Sequence, residues 1–182
     1  MSNNKTIKLN SGKIISIRKQ LDNKITTYWH IIRSENVMSK KALSAGQGSG
    51  LDLKALYNTI TQLQETRIKI KGMLVCLNNG DTSFNYDKFK TTNNYNIFAA
   101  GEAKEAIAQL KMIKTLDPKI KAKKGLKNIG SVETFSSAKI AQLIKDLQLV
   151  ANKFDSKLEE FNKKTEIDVT SNSDSIKDFL TI

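Results

Sequence analysis

Apolar residues recur along the chain in alternating steps of three and four. The clearest stripe runs Leu53, Leu56, Ile60, Leu63, Ile70, Leu74 and Leu77, with Arg67 as its only polar member. A strand needs a period of two, so this spacing predicts a long helix with one apolar seam, opening at an Asp52 cap. Asn78-Asn79-Gly80 ends it, with Gly80 or an Asn in the left-handed conformation. Gly72 lies inside the pattern, where it costs about 1 kcal/mol relative to Ala; it fits a close helix crossing or a kink. Arg67 reads either as a buried ion-pair partner that fixes register or as a side chain snorkelling to the helix edge.

Three other stretches carry the same period. A helix from a Ser11 cap to Val37 or Met38 turns Ile14, Ile17, Leu21, Ile25, Tyr28 and Ile32 inward. A second, over 99–116, buries Ala103, Ile107, Leu110 and Ile113 and stops at Asp117-Pro118. A third, capped by Ser136 or Ser137 and ending near Lys164, has the core face Ile140, Leu143, Leu147, Val150, Phe154, Leu158 and Phe161.

The fold expected is all-α: about four long helices in a bundle or in helical hairpins, within a single domain spanning 1–182. Residues 39–51, SKKALSAGQGSGL, read as a flexible linker. Residues 81–96 carry Phe84, Tyr86, Phe89 and Tyr95 and are expected to pack over the bundle, because four aromatics bury much area. Short alternations at 6–9, 82–86 and 166–169 are candidates for a small β hairpin or sheet. The basic stretch 119–134 reads as an exposed loop or a strand-like excursion, and 165–182 as an acidic C-terminal tail.

Composition narrows this further. In 182 residues there are nine Gly and one Pro, which favours long uninterrupted elements over a turn-rich β fold. Hydrophobic residues make up 39% and aromatics 7%, enough for a bundle core but consistent with one completed by another subunit. Net charge is +12, carried by 27 Lys and only 3 Arg. Lys, Asn and Ile share A/T-rich codons, so part of this excess reflects genomic bias and points to a low-GC bacterium or its phage. A single cysteine excludes an intrachain disulfide. The first residues lack the apolar core of a signal peptide, and the longest continuous apolar run, Met73–Leu77, is far short of a membrane span. The expectation is a cytoplasmic protein, or a virion component if phage-encoded, with no membrane partner.

Candidate chemistry is sparse. Cys76, inside Met-Leu-Val-Cys-Leu, reads as a packed thiol, and a Cys-His pair would require His30 to meet it in space. One Cys and one His do not make a zinc site, Asp81 and Asp87 lack the ligand alternation of a calcium loop, and carboxylates at helical spacings among lysines read as solvated faces. Gly46 to Gly50 precedes a helix but lacks the strand and the Gly-Lys-Ser/Thr ending of a phosphate loop. No catalytic residue, metal site or cofactor is expected. The best basic site is Lys119, Lys121, Lys123, Lys124 and Lys127, which would neutralise phosphates of nucleic acid or another polyanion.

Three passages resemble a family of small bacterial helical proteins labelled septicolysin, whose biochemical role is unknown: IKGMLVCLNNGDTS, GEAKEAIAQLKMI and DLQLVANKFDSKLEEFNKKTEIDV. The resemblance implies a helical fold and assigns no catalytic residue. This chain departs from the family in its strong basicity, its Gly-rich linker and its 165–182 tail. The function expected is that of a non-enzymatic structural or assembly protein. It would form a homo-oligomer, or join neighbouring structural proteins, through amphipathic helices, with the Leu53–Leu77 seam including Arg67 as the contact. The alternative is a basic binding module for nucleic acid or another phosphorylated anion.

Overall fold

A computed structural model describes residues 7–116 and 130–166. The protein is all-α with one small antiparallel sheet. In chain order the described elements are α1 (Ser11–Glu35), β1 (Val37–Ser39), α2 (Lys40–Ser44), α3 (Leu53–Asn78), α4 (Tyr86–Phe89), α5 (Asn93–Lys111), β2 (Ser131–Glu133) and α6 (Ser137–Lys164).

Each long helix opens on a side chain that accepts a hydrogen bond from a free first-turn amide. Asp52 Oδ1 accepts from the Lys54 and Ala55 amides (2.8 and 3.3 Å), and Ser136 Oγ accepts from Lys139 (3.2 Å). At α1 the cap is Asn10, one residue before the expected Ser11, and it accepts from the Lys13 amide at 2.9 Å. At α5 the cap is Thr92, so the helix begins six residues before the expected Ala99 and ends at Lys111 rather than Leu116. Gly80, with φ of +83°, lies just past the end of α3.

α1 and α3 pack antiparallel. Trp29 meets Tyr57 edge-on at 5.9 Å near one end, while Asp22 meets Arg67 further along. α5 leans on α3 and pairs with α6, where Lys104 bonds Asp155 at 2.9 Å and Tyr95 meets the Phe154 ring at 5.8 Å. The main core joins Ile25, Trp29 and Ile32 to Leu53, Leu56 and Ile60, and then to Ala106, Leu110, Ile113, Phe135 and Ile140. The predicted inward positions Ala103, Ile107 and Leu110 of α5 are buried, as is Ile113 just past its end.

The sheet is real but lies elsewhere than expected. Val37 pairs with Glu133, Met38 with Val132 and Ser39 with Ser131. Residues 7–9 are not a strand, and 82–85 form a loop entering α4; 167–169 lie outside the described residues. α1 ends at Glu35 because Asn36 turns the chain into β1. Within the Gly/Ser stretch 39–51, Lys40–Ser44 forms a short helix capped by Ser39. The Glu35 carboxylate accepts from the amide and hydroxyl of Ser49 (2.9 and 2.8 Å), tying the loop to α1.

The aromatic loop packs as its composition requires. Phe89 is buried among Phe84, Tyr86, Tyr95 and Phe98, with ring centres 5.6 to 6.5 Å away. It also corrects the reading of Gly72, which admits an aromatic ring rather than a crossing helix backbone. A Cβ built there would fall 2.6 Å from Phe89 Cε1. The ring is hemmed in by its neighbours, so overpacking of about 1–3 kcal/mol should exceed the ~1 kcal/mol of helix propensity gained. Gly72→Ala should therefore lower the thermal midpoint, and Phe89→Leu in the same chain should remove most of that penalty. A Gly72→Ala protein that melts higher than wild type would show that the ring can retreat.

Candidate functional site

Arg67 is the buried ion-pair partner among the two roles its position permits. It is 6% exposed and reaches all of its acceptors at once. Nε donates to Glu102 Oε1 at 2.8 Å, and one terminal nitrogen donates to the other Glu102 oxygen and to Glu105 at 2.6 Å. The remaining nitrogen reaches Asp22 at 3.0 Å. Lys71 Nζ adds a second cation on Glu102 at 2.9 Å. The cluster spans α1, α3 and α5, and its three carboxylates face Arg67, Lys71 and, 3.8 Å from Asp22, Arg18. Burial acts to lower the Arg67 pKa, but Glu102, Asp22 and Glu105 override it and hold it above its ordinary value. With every carboxylate committed to a guanidinium or an ammonium, the cluster fixes the register of three helices and offers no free acid or base.

Among the described residues, the Cys-His pair weighed from the sequence does not assemble. His30 is exposed beside Trp29, level with Tyr57, whereas Cys76 lies beyond Arg67 towards the opposite end of α3, so the two do not meet. Burial pushes the Cys76 thiol up, and the Asp81 charge adds to the shift, which disfavours the nucleophilic thiolate. Among the described residues no three His, Cys, Asp or Glu side chains converge to hold a metal ion. No described helix is long and apolar enough to cross a membrane.

The two interaction sites read from the sequence fare differently. Lys119, Lys121, Lys123, Lys124 and Lys127 lie outside the described residues. The Leu53–Leu77 seam is consumed inside the chain, which corrects its reading as a self-association surface. Leu53, Leu56 and Ile60 belong to the main core, Arg67 and Ile70 are buried, and Leu63, Leu74 and Leu77 are half-buried.

Among the described helices, α6 leaves part of its expected apolar face uncovered. Of its expected core face, Ile140 is buried and Leu143, Leu147, Phe154 and Leu158 are half-buried, but Val150 and Phe161 are 43% and 45% exposed. Ala151, fully buried, takes the contact with the bundle where Val150 was expected. Leu149 on the outer face is 63% exposed. Around this apolar pair, charges recur every seven residues with alternating sign: Lys139, Asp146, Lys153 and Glu160, all exposed. A seven-residue step returns to nearly the same side of a helix, so these charges share one stripe with Leu149. The spacing is visible in the sequence, but the charges read there only as a solvated face. The open apolar pair at their centre is what the structure adds.

No family model, no curated protein and no solved structure matches this chain. The likeness to the septicolysin-labelled family accordingly rests on the three passages quoted above.

Proposed function

We propose that the protein is a non-enzymatic assembly protein that associates with a second copy of itself through the outer face of α6. The observation that carries this reading is the antisymmetry of the charges about Leu149 and Val150. If two α6 helices run antiparallel with a two-fold axis between these residues, Asp146 of each faces Lys153 of the other. Lys139 then faces Glu160, while Leu149 covers Val150. Each contact occurs twice, as an isologous interface requires. A parallel pairing in register would set Lys against Lys and Asp against Asp, so the same charges select direction as well as partner. The partner would cover an apolar pair that is exposed among the described residues.

Sedimentation velocity or light scattering coupled to size exclusion tests this directly. Wild-type protein should dimerise in the micromolar range. Leu149→Glu with Val150→Glu should give a monomer whose helical circular dichroism is unchanged, since both side chains lie outside the core. Asp146→Lys or Lys153→Asp alone should weaken the dimer by at least about tenfold, because like charges then oppose each other twice. The double exchange Asp146→Lys with Lys153→Asp should restore it. A wild-type monomer throughout that range, or a dimer indifferent to these changes, would remove the proposal.

A further inference from the structure

The last turn of α1 meets the exit of α5 through a contact that apolar packing does not explain. Of the three arginines, Arg18 and Arg67 pair with carboxylates, whereas Arg33 has no carboxylate partner among the described residues. Its guanidinium donates instead to the thioether sulfur of Met112, at 3.2 Å. A thioether is a weak acceptor, so a charged donor committed to it is poorly matched. Met112 is the C-cap residue of α5 and is 57% exposed. The other described methionines, Met38 and Met73, are half-buried, and the Met38 methyl packs against Gly48.

Exposure admits a peroxide to the Met112 sulfur, and the guanidinium suits the product better than the reactant. In the oxidation, a sulfur lone pair forms a bond to one peroxide oxygen as the O–O bond breaks. The proton on the transferred oxygen passes to the departing one, which leaves as water. Sulfur loses two electrons and the peroxide gains them. The sulfoxide oxygen carries partial negative charge, so it accepts from a guanidinium far better than a thioether sulfur does. The place gives this bond its consequence. Two residues beyond Met112, the Lys114 carbonyl accepts from the Asn36 side chain at 2.8 Å, and Asn36 lies three residues beyond Arg33. A stronger Arg33–Met112 bond would thus add to the tie between α1 and the chain leaving α5.

We infer that Met112 is a reversible oxidation site for peroxides, and that Arg33 holds its sulfoxide so that oxidation tightens the α1–α5 junction. Methionines packed in a core respond in the opposite way, since a polar sulfoxide disrupts the packing around it. Neither Arg33 nor Met112 lies on the α6 stripe, so the oxidation can be read independently of self-association.

The test is limiting hydrogen peroxide on the full chain, with tryptic peptides read by mass spectrometry and melting followed by circular dichroism. Met112 should be half oxidised before Met38 or Met73 passes about a tenth. The oxidised protein should melt roughly 2–4 °C above the reduced one, the shift that one charge-assisted bond gives at this chain length. Methionine sulfoxide reductases specific for the two epimers, supplied with a thiol reductant, should return the original midpoint. Met112→Leu should show no shift on treatment, which excludes a contribution from Cys76. Arg33→Leu should still be oxidised at Met112 but lose the gain. If Arg33→Leu fails to fold, Met112→Leu and the reductase reversal still decide whether the gain belongs to this sulfur. Earlier oxidation of Met38 or Met73, a midpoint that falls or stays put when Met112 is oxidised, or the same rise in Arg33→Leu would overturn the inference.

Discussion

Replacing Arg67 with Met should destabilise the protein by about 3–5 kcal/mol, the loss typical when one partner of a buried ion pair is removed. At this chain length that corresponds to roughly 10 °C in the thermal midpoint. The loss arises chiefly from what remains behind. Glu102 is 5% exposed and would keep only Lys71, a partly exposed partner at 2.9 Å. Asp22 and Glu105 are about two-fifths exposed and can return to water, so their share is small. Removing both buried members should behave differently. Arg67→Met with Glu102→Leu fills the site with apolar atoms and leaves no stranded charge, so most of the stability should return. Chemical denaturation of both single variants and the double variant gives the coupling directly. A single Arg67→Met protein within about 1 kcal/mol of wild type would show that Glu102 is already well solvated.

The pH response of this contribution follows from its sign. The folded-state pKa of Arg67 is raised, so its stabilisation is fully present below the unfolded value and is lost only as pH rises through the folded one. Both lie above the range in which proteins are handled, and the guanidinium side of the cluster should contribute a flat term across neutral and mildly alkaline pH.

How much of this was legible beforehand depends on the range over which each feature is specified. The α3 seam and the core face of α5 were readable because a helix repeats its orientation every few residues, and the Asp52 and Ser136 caps act within three residues of themselves. Arg67 stood out as the single polar residue on an apolar stripe, though its partners at positions 22, 102 and 105 did not. The strand Val37–Ser39 was missed because nothing local makes it one; its pairing with Ser131–Glu133, inside the stretch read as a loop or strand-like excursion, does. α5 began earlier than expected because a polar opening, Asn93-Asn94-Tyr95-Asn96, becomes helical once Thr92 caps it. For α6 the period was right and the width was wrong. An apolar stripe shows that a helix has a face to bury, whereas the position of α5 decides that Ala151 is covered and Val150 is left open.

Asn36 is the position where local reading failed with the largest structural consequence, and substituting it should match the loss at Arg67. The sequence pattern carries α1 through to Val37 or Met38, but the helix ends at Glu35 and Asn36 joins two distant segments to it. At 1% exposure, its side-chain amide donates to the Lys114 carbonyl at 2.8 Å and to the Phe135 carbonyl at 2.9 Å. Its side-chain oxygen accepts from the Phe135 amide at 2.7 Å, and its own carbonyl accepts from the Thr134 amide at 3.0 Å. The side chain thus meets the exit of α5 and both polar groups of the residue that leads β2 into α6. Asn36→Leu keeps the volume but strands those partners in a buried site. At about 1–3 kcal/mol for each unpaired group, the loss should reach roughly 3–5 kcal/mol after partial relaxation. Asn36→Asp provides the control: it keeps the acceptor for the Phe135 amide but replaces a donor with a negative charge facing two carbonyls, so it should be at least as harmful as Leu. Hydrogen exchange adds a readout specific to this role, because the Phe135 amide should lose protection in Asn36→Leu while amides in the middle of α3 stay protected. If Phe135 remained protected in a stable Asn36→Leu protein, the junction would be held by the packing of Trp29, Tyr57 and Phe135 instead of by this side chain.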